Sequence, residues 1–248
     1  MTLLATHSWI IGASSGIGEA LAKELAARGE TVCVSARNSD ALDTLVSSLN
    51  GKDHIALPLD VTCHHKVLQA VQRLQTQFPR IDRVIFMAGQ YTPMSFGSID
   101  LEEAERIIKV NLTSSLYVIE AVLPVLVSQG GGQIALCASV AGYRGLPKSQ
   151  PYGASKAGLI NLAESLASDV PKHIDVRVIN PGFVESRLTS KNDFKMPMRI
   201  SAEKAAKAIA DGLDKRGFEI HFPKSFTLVM KLLSCLPNIL YFSLMRRR

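Results

Sequence analysis

Tyr152 and Lys156 stand four residues apart in Tyr152-Gly153-Ala154-Ser155-Lys156. On a helix that spacing puts both side chains on one face. A neighbouring ammonium favours the phenolate and draws a phenol pKa of about 10 towards working pH, which is what a general acid/base needs. Ser139 follows the apolar run 133–137 directly, so its hydroxyl is placed to hold a substrate oxygen. Asn111 lies midway along an apolar helical stretch over 101–126. There it is expected to interrupt the helix ladder and hold a water joining Lys156 to solvent; a fully hydrogen-bonded buried amide is the plain alternative. Tyr-Lys pairs at this spacing also occur on ordinary helices, so their chemistry depends on what surrounds them.

A second set of residues suits a nucleotide. Gly12-Ala13-Ser14-Ser15-Gly16-Ile17-Gly18 follows an apolar run and opens a helical pattern through Ala20, Leu21, Leu25 and Ala26. Glycine allows a tight strand-to-helix turn and close approach of a pyrophosphate, while the free amides at the helix start favour the anion. An ordinary glycine-rich turn is the competing reading. The next strand ends at Ala36-Arg37-Asn38 with no acid. An acid there accepts from the 2′-hydroxyl of NAD, whereas an arginine accommodates the 2′-phosphate of NADP. NADP(H) is therefore favoured, with Arg37 as phosphate partner and Ser14 and Asn38 as helpers; Asp40 keeps NAD(H) open, and a solvated Arg37 is the bland alternative. Asp60, in Leu59-Asp60-Val61, either accepts from the adenine amino group or caps the following helix.

Elements must position these residues. Runs rich in Val and Ile at 8–11, 31–35, 54–59, 83–86, 133–137, 176–179 and 219–222 alternate with amphipathic stretches. That pattern marks parallel strands joined by crossover helices. The expectation is an α/β, single-domain, Rossmann-like doubly wound parallel sheet of about seven strands with helices on both faces. A chain of 248 residues with 47% hydrophobic content and mean hydropathy of +0.15 can fill such a core. No Pro/Gly/Ser linker or long-period repeat divides it. Residues 1–222 read as the dinucleotide-binding and catalytic unit and 223–248 as an extension of the same domain. The irregular stretch 183–200, with Met196, Pro197 and Met198 before a helix capped at Ser201, is a candidate substrate lid.

Four scattered cysteines, Cys33, Cys63, Cys137 and Cys235, form no C-x-x-C pair, which suggests neither a disulfide framework nor a metal site and fits a reducing, cytoplasmic setting. Residues 1–12 lack a basic n-region and read as the first strand rather than a signal peptide. The formal charge is +6, yet Lys224, Lys231, Arg246, Arg247 and Arg248 stand in a segment without acids, so the remainder is nearly neutral. Basic charge confined to a tail, with no recognised motif, speaks against nucleic-acid binding. Residues 225–245 are almost unbroken in apolar character and approach the ~20 residues that span a bilayer, but Lys231 and Pro237 interrupt them. Three readings stay open for this tail: a flap over the substrate pocket, an oligomer contact, or a peripheral membrane segment facing anionic lipid.

In order and spacing the motifs resemble the classical short-chain dehydrogenase/reductases over essentially residues 7–222. The matching positions are Gly12, Gly16 and Gly18; Asp60-Val61; Ala88-Gly89; Asn111; Ser139; Tyr152 and Lys156; and Pro181-Gly182. The resemblance implies carbonyl–alcohol interconversion with direct hydride transfer and a catalytic set of Asn111, Ser139, Tyr152 and Lys156. Tyr152 would carry the proton, Ser139 orient the substrate oxygen and Asn111 complete a relay. Lys156 would also bind the nicotinamide ribose. The cofactor would lie along Gly12, Ser14, Ser15, Gly16, Ile17, Gly18, Arg37, Asn38, Asp60, Val61, Ala88, Gly89, Tyr152, Lys156, Pro181, Gly182, Val184 and Ser186, with Ser186 where the family usually has a threonine. Phe86-Met87 replaces the family's two asparagines, which puts the geometry of that loop in question. Tyr91, Met94, Phe96, Tyr143, Leu146, Phe183, Met196 and Met198 suggest an apolar pocket for a small carbonyl or alcohol. The resemblance also implies a homodimer or homotetramer formed through the helices over 101–126 and 152–167. A catalytically idle NADP(H)-binding sensor or scaffold is the alternative.

Overall fold

The computed structural model describes residues 6–95, 97–186, 189 and 196–246; Phe96, much of the expected lid and the last two arginines lie outside them. Seven strands run β1 (His7–Ile11), β2 (Thr31–Ser35), β3 (Ile55–Ala56), β4 (Arg83–Phe86), β5 (Gly132–Cys137), β6 (Ile174–Pro181) and β7 (Glu219–Phe222). They form one sheet in the order β3-β2-β1-β4-β5-β6-β7, all parallel. Both flanks are helical. Helices α1 (Gly16–Ala27), α2 (Ser39–Ser47) and α7 (Ala202–Leu213) cover one face, while α3 (His64–Gln77), α5 (Ser114–Ser128) and α6 (Gln150–Asp169) cover the other. The two-residue period of a strand divides the cores: Trp9 and Ile11 pack with the second set, Ile10 between them with the first.

The expected third strand is longer than the paired one. Regular pairing stops at Ala56, although Leu57 and Leu59 still donate to the Val34 and Ala36 carbonyls at 2.9 Å; Pro58 between them lacks only the N–H that would point away from β2, off the edge of the sheet. The long apolar helix is likewise segmented: α4 (Leu101–Ile108) passes into a π-helical turn at Lys109–Thr113 before α5 begins. Its apolar length would suffice to cross a membrane, yet Ile107, Val118, Val122 and Leu126 are wholly buried. The tail forms α8 (Lys224–Ser234) and α9 (Asn238–Arg246), separated where Pro237 prevents a continuous helix.

At the amino-terminal edge of the sheet, an ion network ties layers together. Glu30 is nearly buried, accepts from the Ser8 hydroxyl and pairs with Arg83 at 2.6 Å; Arg83 also reaches Asp214 at 2.6 Å, at the end of α7. Burial pushes the Glu30 carboxyl above the usual carboxylate range, against the pull of Ser8 and Arg83. Removing one partner of such a pair strands the other charge, so Arg83→Met is expected to cost about 3–5 kcal/mol in unfolding free energy. Losing Arg83 raises the Glu30 pKa further, so the penalty is fully present above the variant's pKa and disappears as pH falls through the already raised pKa of the wild-type Glu30. Urea unfolding midpoints should therefore show a larger deficit for Arg83→Met at pH 8 than at pH 5; equal deficits would remove the electrostatic account.

Candidate active site

The parallel register brings the carboxyl ends of β1, β4, β5 and β6 to one edge of the sheet, where open α/β folds bind ligands. After β1 the chain turns at Gly12, with φ +98°, and its N–H donates to the Ser35 carbonyl at 2.7 Å. A Cβ there would lie 2.6 Å from the Ala88 nitrogen, so the turn after β1 is pressed against the turn after β4. A Cβ on Gly18 would lie 2.2 Å from the Gly12 carbonyl oxygen, so α1 is packed directly on the turn. Gly16 has φ +63° and faces Ser186. Ser15 is the N-cap of α1, but its hydroxyl makes no capping bond, which leaves the first-turn amides available to an anion. Ser14 and Ile17 are part-exposed beside them. This cradle fits a pyrophosphate.

After β2 and β3, where the sequence pattern predicts the adenosine, Arg37 and Asp60 border a cavity of about 510 Å³ together with Lys66 and Arg73. Sequence reasoning missed both of these last cations, because their place on α3 is legible only once β2 and β3 are side by side. Asn38 caps α2 by accepting from the Ala41 N–H at 3.1 Å. Asp60 does not cap α3, whose N-cap is Cys63. Its Oδ1 instead accepts from the Thr62 N–H at 3.0 Å and hydroxyl at 2.7 Å. Partial burial pushes the Asp60 carboxyl up, but the Thr62 bonds and the charges of Arg37 and Lys66 hold it below its ordinary value. Val61 is in the core.

The candidate acid/base residues come together where β5 ends. Ser139 starts a 3₁₀ turn, Val140–Gly142, and accepts from the Ala141 N–H at 3.1 Å. Tyr152 lies in the first turn of α6, edge-on to Tyr91 at 4.9 Å between ring centroids. Lys156, one turn on, is 4% exposed; its Nζ donates to the Cys137 carbonyl at 2.7 Å and lies 5.6 Å from the Tyr152 ring centroid. The pair shares a face, but its electrostatics differ from the sequence expectation. Burial pushes the Tyr152 phenol above its ordinary value, against the pull of the Ser139 hydroxyl, and burial also lowers the Lys156 ammonium. The ammonium is spent on a carbonyl rather than on the phenol, so desolvation dominates.

Asn111 sits fully buried in the π-helical turn, a departure from α-helix of a kind frequent at functional sites. Its Oδ1 accepts from the Gln90 N–H at 2.7 Å, and its Nδ2 donates to the Gln90 carbonyl at 3.0 Å and the Ser155 hydroxyl at 2.9 Å. The side chain thus takes the satisfied-amide role, fastening the loop after β4 to α6. Gly89 completes the convergence: a Cβ there would lie 3.7 Å from Lys156 Nζ and 3.8 Å from Asn111 Oδ1. Phe86 and Met87 do not disturb the loop. Phe86 is wholly buried, and Met87 donates its N–H to the Ile11 carbonyl at 2.7 Å, so backbone carries the connection.

β6 ends at Pro181. A Cβ on Gly182 would lie 2.7 Å from Phe226, which places α8 directly over this edge. Phe183 and Phe226 rings are 5.2 Å apart. Val184 is buried and bridges to Ile200, and Ser186 exchanges hydrogen bonds with Thr189. Of the expected pocket side chains, Met94 is buried, Met198 is exposed, and Tyr143 is turned to Glu219. Glu219 also accepts from Asn180 and Lys231, so the residues next to Ser139 are bonded to the tail. Arg144 extends that bond: it donates to the Ser234 carbonyl at 2.9 Å and Asn238 at 2.7 Å and stacks on Tyr241 at 3.9 Å. Neither Arg144 nor Glu219 carries a local sequence signal.

Residues 6–196 match the short chain dehydrogenase family. A Myxococcus xanthus protein described as an uncharacterized oxidoreductase is 33% identical over 242 residues, covering 96% of this chain and 95% of its own. Among solved structures, an actinorhodin polyketide ketoreductase with NADPH superposes with a TM-score of 0.80 at 21% identity, over 88% of this chain and 95% of that one. A short-chain dehydrogenase/reductase from Burkholderia phymatum in complex with NAD gives 0.81 at 19% identity, over 92% of each chain. With the glycine cradle and the parallel sheet already in place, these matches make the chain a member of the short-chain dehydrogenase/reductase family, an oxidoreductase whose fold binds a nicotinamide dinucleotide.

Proposed function

We propose that the protein is an NADP(H)-dependent reductase or dehydrogenase that interconverts a carbonyl and an alcohol on an apolar small molecule. The observation that carries this reading is the grouping of part-buried Tyr152 with buried Ser139 and Lys156 at the carboxyl end of β5. The nicotinamide, when bound, supplies or accepts the hydride. Ser139 and Tyr152 hydroxyls hold the substrate oxygen, and Tyr152 gives its proton to that oxygen in reduction or takes it in oxidation. The closeness of Lys156 Nζ to Gly89 supports a role for it in binding the nicotinamide ribose. Arg37, Lys66 and Arg73 around one cavity support a 2′-phosphate. The four free cysteines fit a cytoplasmic setting. Exposed Leu116 and Val127 on α5 support self-association through the long helices.

Fluorescence titration should find NADPH bound more tightly than NADH. Arg37→Glu should weaken NADPH by at least about tenfold, the loss of one charge-assisted contact, and leave NADH nearly unchanged. Equal loss for both would remove Arg37 as the phosphate partner. In a panel of apolar ketones and aldehydes, Tyr152→Phe should lower kcat by about 10²–10⁴-fold with NADPH affinity retained. Turnover unaffected by Tyr152→Phe would overturn the acid/base assignment, and nucleotide binding without turnover by wild type on any substrate would favour the idle-sensor alternative.

Since burial raises the phenol, the acid form persists well past neutrality. The reductive kcat should stay level from about pH 6 to about pH 9, while the oxidative rate climbs with pH. A reductive rate falling with an apparent pKa near neutrality would contradict this.

A further inference from the structure

The C-terminal helices leave a large apolar surface in the open. Leu228, Val229 and Leu232 on α8 and Ile239, Leu240 and Phe242 on α9 are each about half exposed or more. Seven of the twelve exposed large apolar side chains among the described residues belong to this pair of helices. Exposed apolar area concentrated in this way marks an interaction surface rather than ordinary scatter. It is also preformed. Arg144 fastens the corner between the helices through the Ser234 carbonyl, Asn238 and the Tyr241 ring, while Tyr241 is 2% exposed and donates to the Gly145 carbonyl.

Its charge identifies the occupant. Residues 224–248 carry five basic residues and no acid. Lys231 is neutralised by Glu219, which leaves Lys224, Arg246 and the two terminal arginines of the sequence. A two-fold contact between copies sets the same patch against itself and would bring these cations together. An anionic bilayer instead accepts both the apolar side chains and the cations. We propose that α8 and α9 form a peripheral docking surface for anionic membranes. Because α8 also covers Gly182 and Phe183, docking holds the substrate edge of the sheet next to the lipid. The proposal goes beyond the reductase reading and does not depend on it.

Co-sedimentation with phosphatidylcholine vesicles, with and without about 30% phosphatidylserine, tests it on the full-length protein. The wild type should bind the anionic vesicles, release at high salt and bind pure phosphatidylcholine far less, at about fivefold in partition per unpaired cation. Leu232→Glu/Ile239→Glu/Phe242→Glu alters only exposed positions and should abolish vesicle binding while NADPH binding stays at the wild-type level, which also reports that the variant is folded. Equal binding to both vesicle types would overturn the charge selection. No binding by the wild type would overturn the proposal altogether; so would a variant that keeps full vesicle binding. Sedimentation velocity without lipid separates the rival occupant: an oligomer that the triple variant dissociates would assign the face to a second copy of the chain.

Discussion

A buried ammonium is costly unless its hydrogen bonds are met, and Lys156 is such a group. Its bond to the Cys137 carbonyl ties α6 to the last residue of β5. Ser139 is two residues further on, and Tyr152 is one turn back along α6, so the same bond sets the distance between the two hydroxyls. Around it the main chain is drawn tight by glycines at positions where a side chain would collide: Gly12 against Ala88, Gly18 against Gly12, and Gly142 against the backbone of Lys156. The site is therefore held by backbone approach, with side chains projecting from elements that cannot drift apart.

The two edges of the sheet use charge differently. At the amino-terminal edge, Glu30, Arg83, Asp214 and Arg28 offset one another in a closed network that joins α1, β4 and α7. At the carboxyl edge, Arg37 and Lys66 line a cavity with Asp60 as the acid among its lining residues, and Arg73 lines it further along α3. Paired charges serve cohesion at one end, and excess positive charge is left for a ligand at the other.

Much of this was legible in the sequence because it rests on local pattern. All seven strands lie where Val- and Ile-rich runs stand, and the glycine spacing marks the turn into α1. What was not legible depends on burial or on distant partners. Tyr152 and Lys156 are adjacent as their spacing requires, yet the direction of the phenol shift follows from desolvation, which sequence spacing does not report. The interruption of the helix at Asn111 was expected, but the partners of its amide, Gln90 and Ser155, are 21 and 44 residues away. Arg144 sits in a loop with no periodicity, and its partners lie some 90 residues on. The third strand is shorter than its apolar run, because the regular ladder with β2 ends at Ala56 and only single bonds from Leu57 and Leu59, either side of Pro58, continue it.

That proline has a further consequence. Open sheets are exposed to pairing with another chain along their outermost strands. Here β3 has two paired residues before Pro58, and β7 has four before Pro223, so each border of the sheet is short and followed by a residue that cannot donate. A continuous sheet across two molecules finds little purchase at either border, and the surfaces left for company are helical ones.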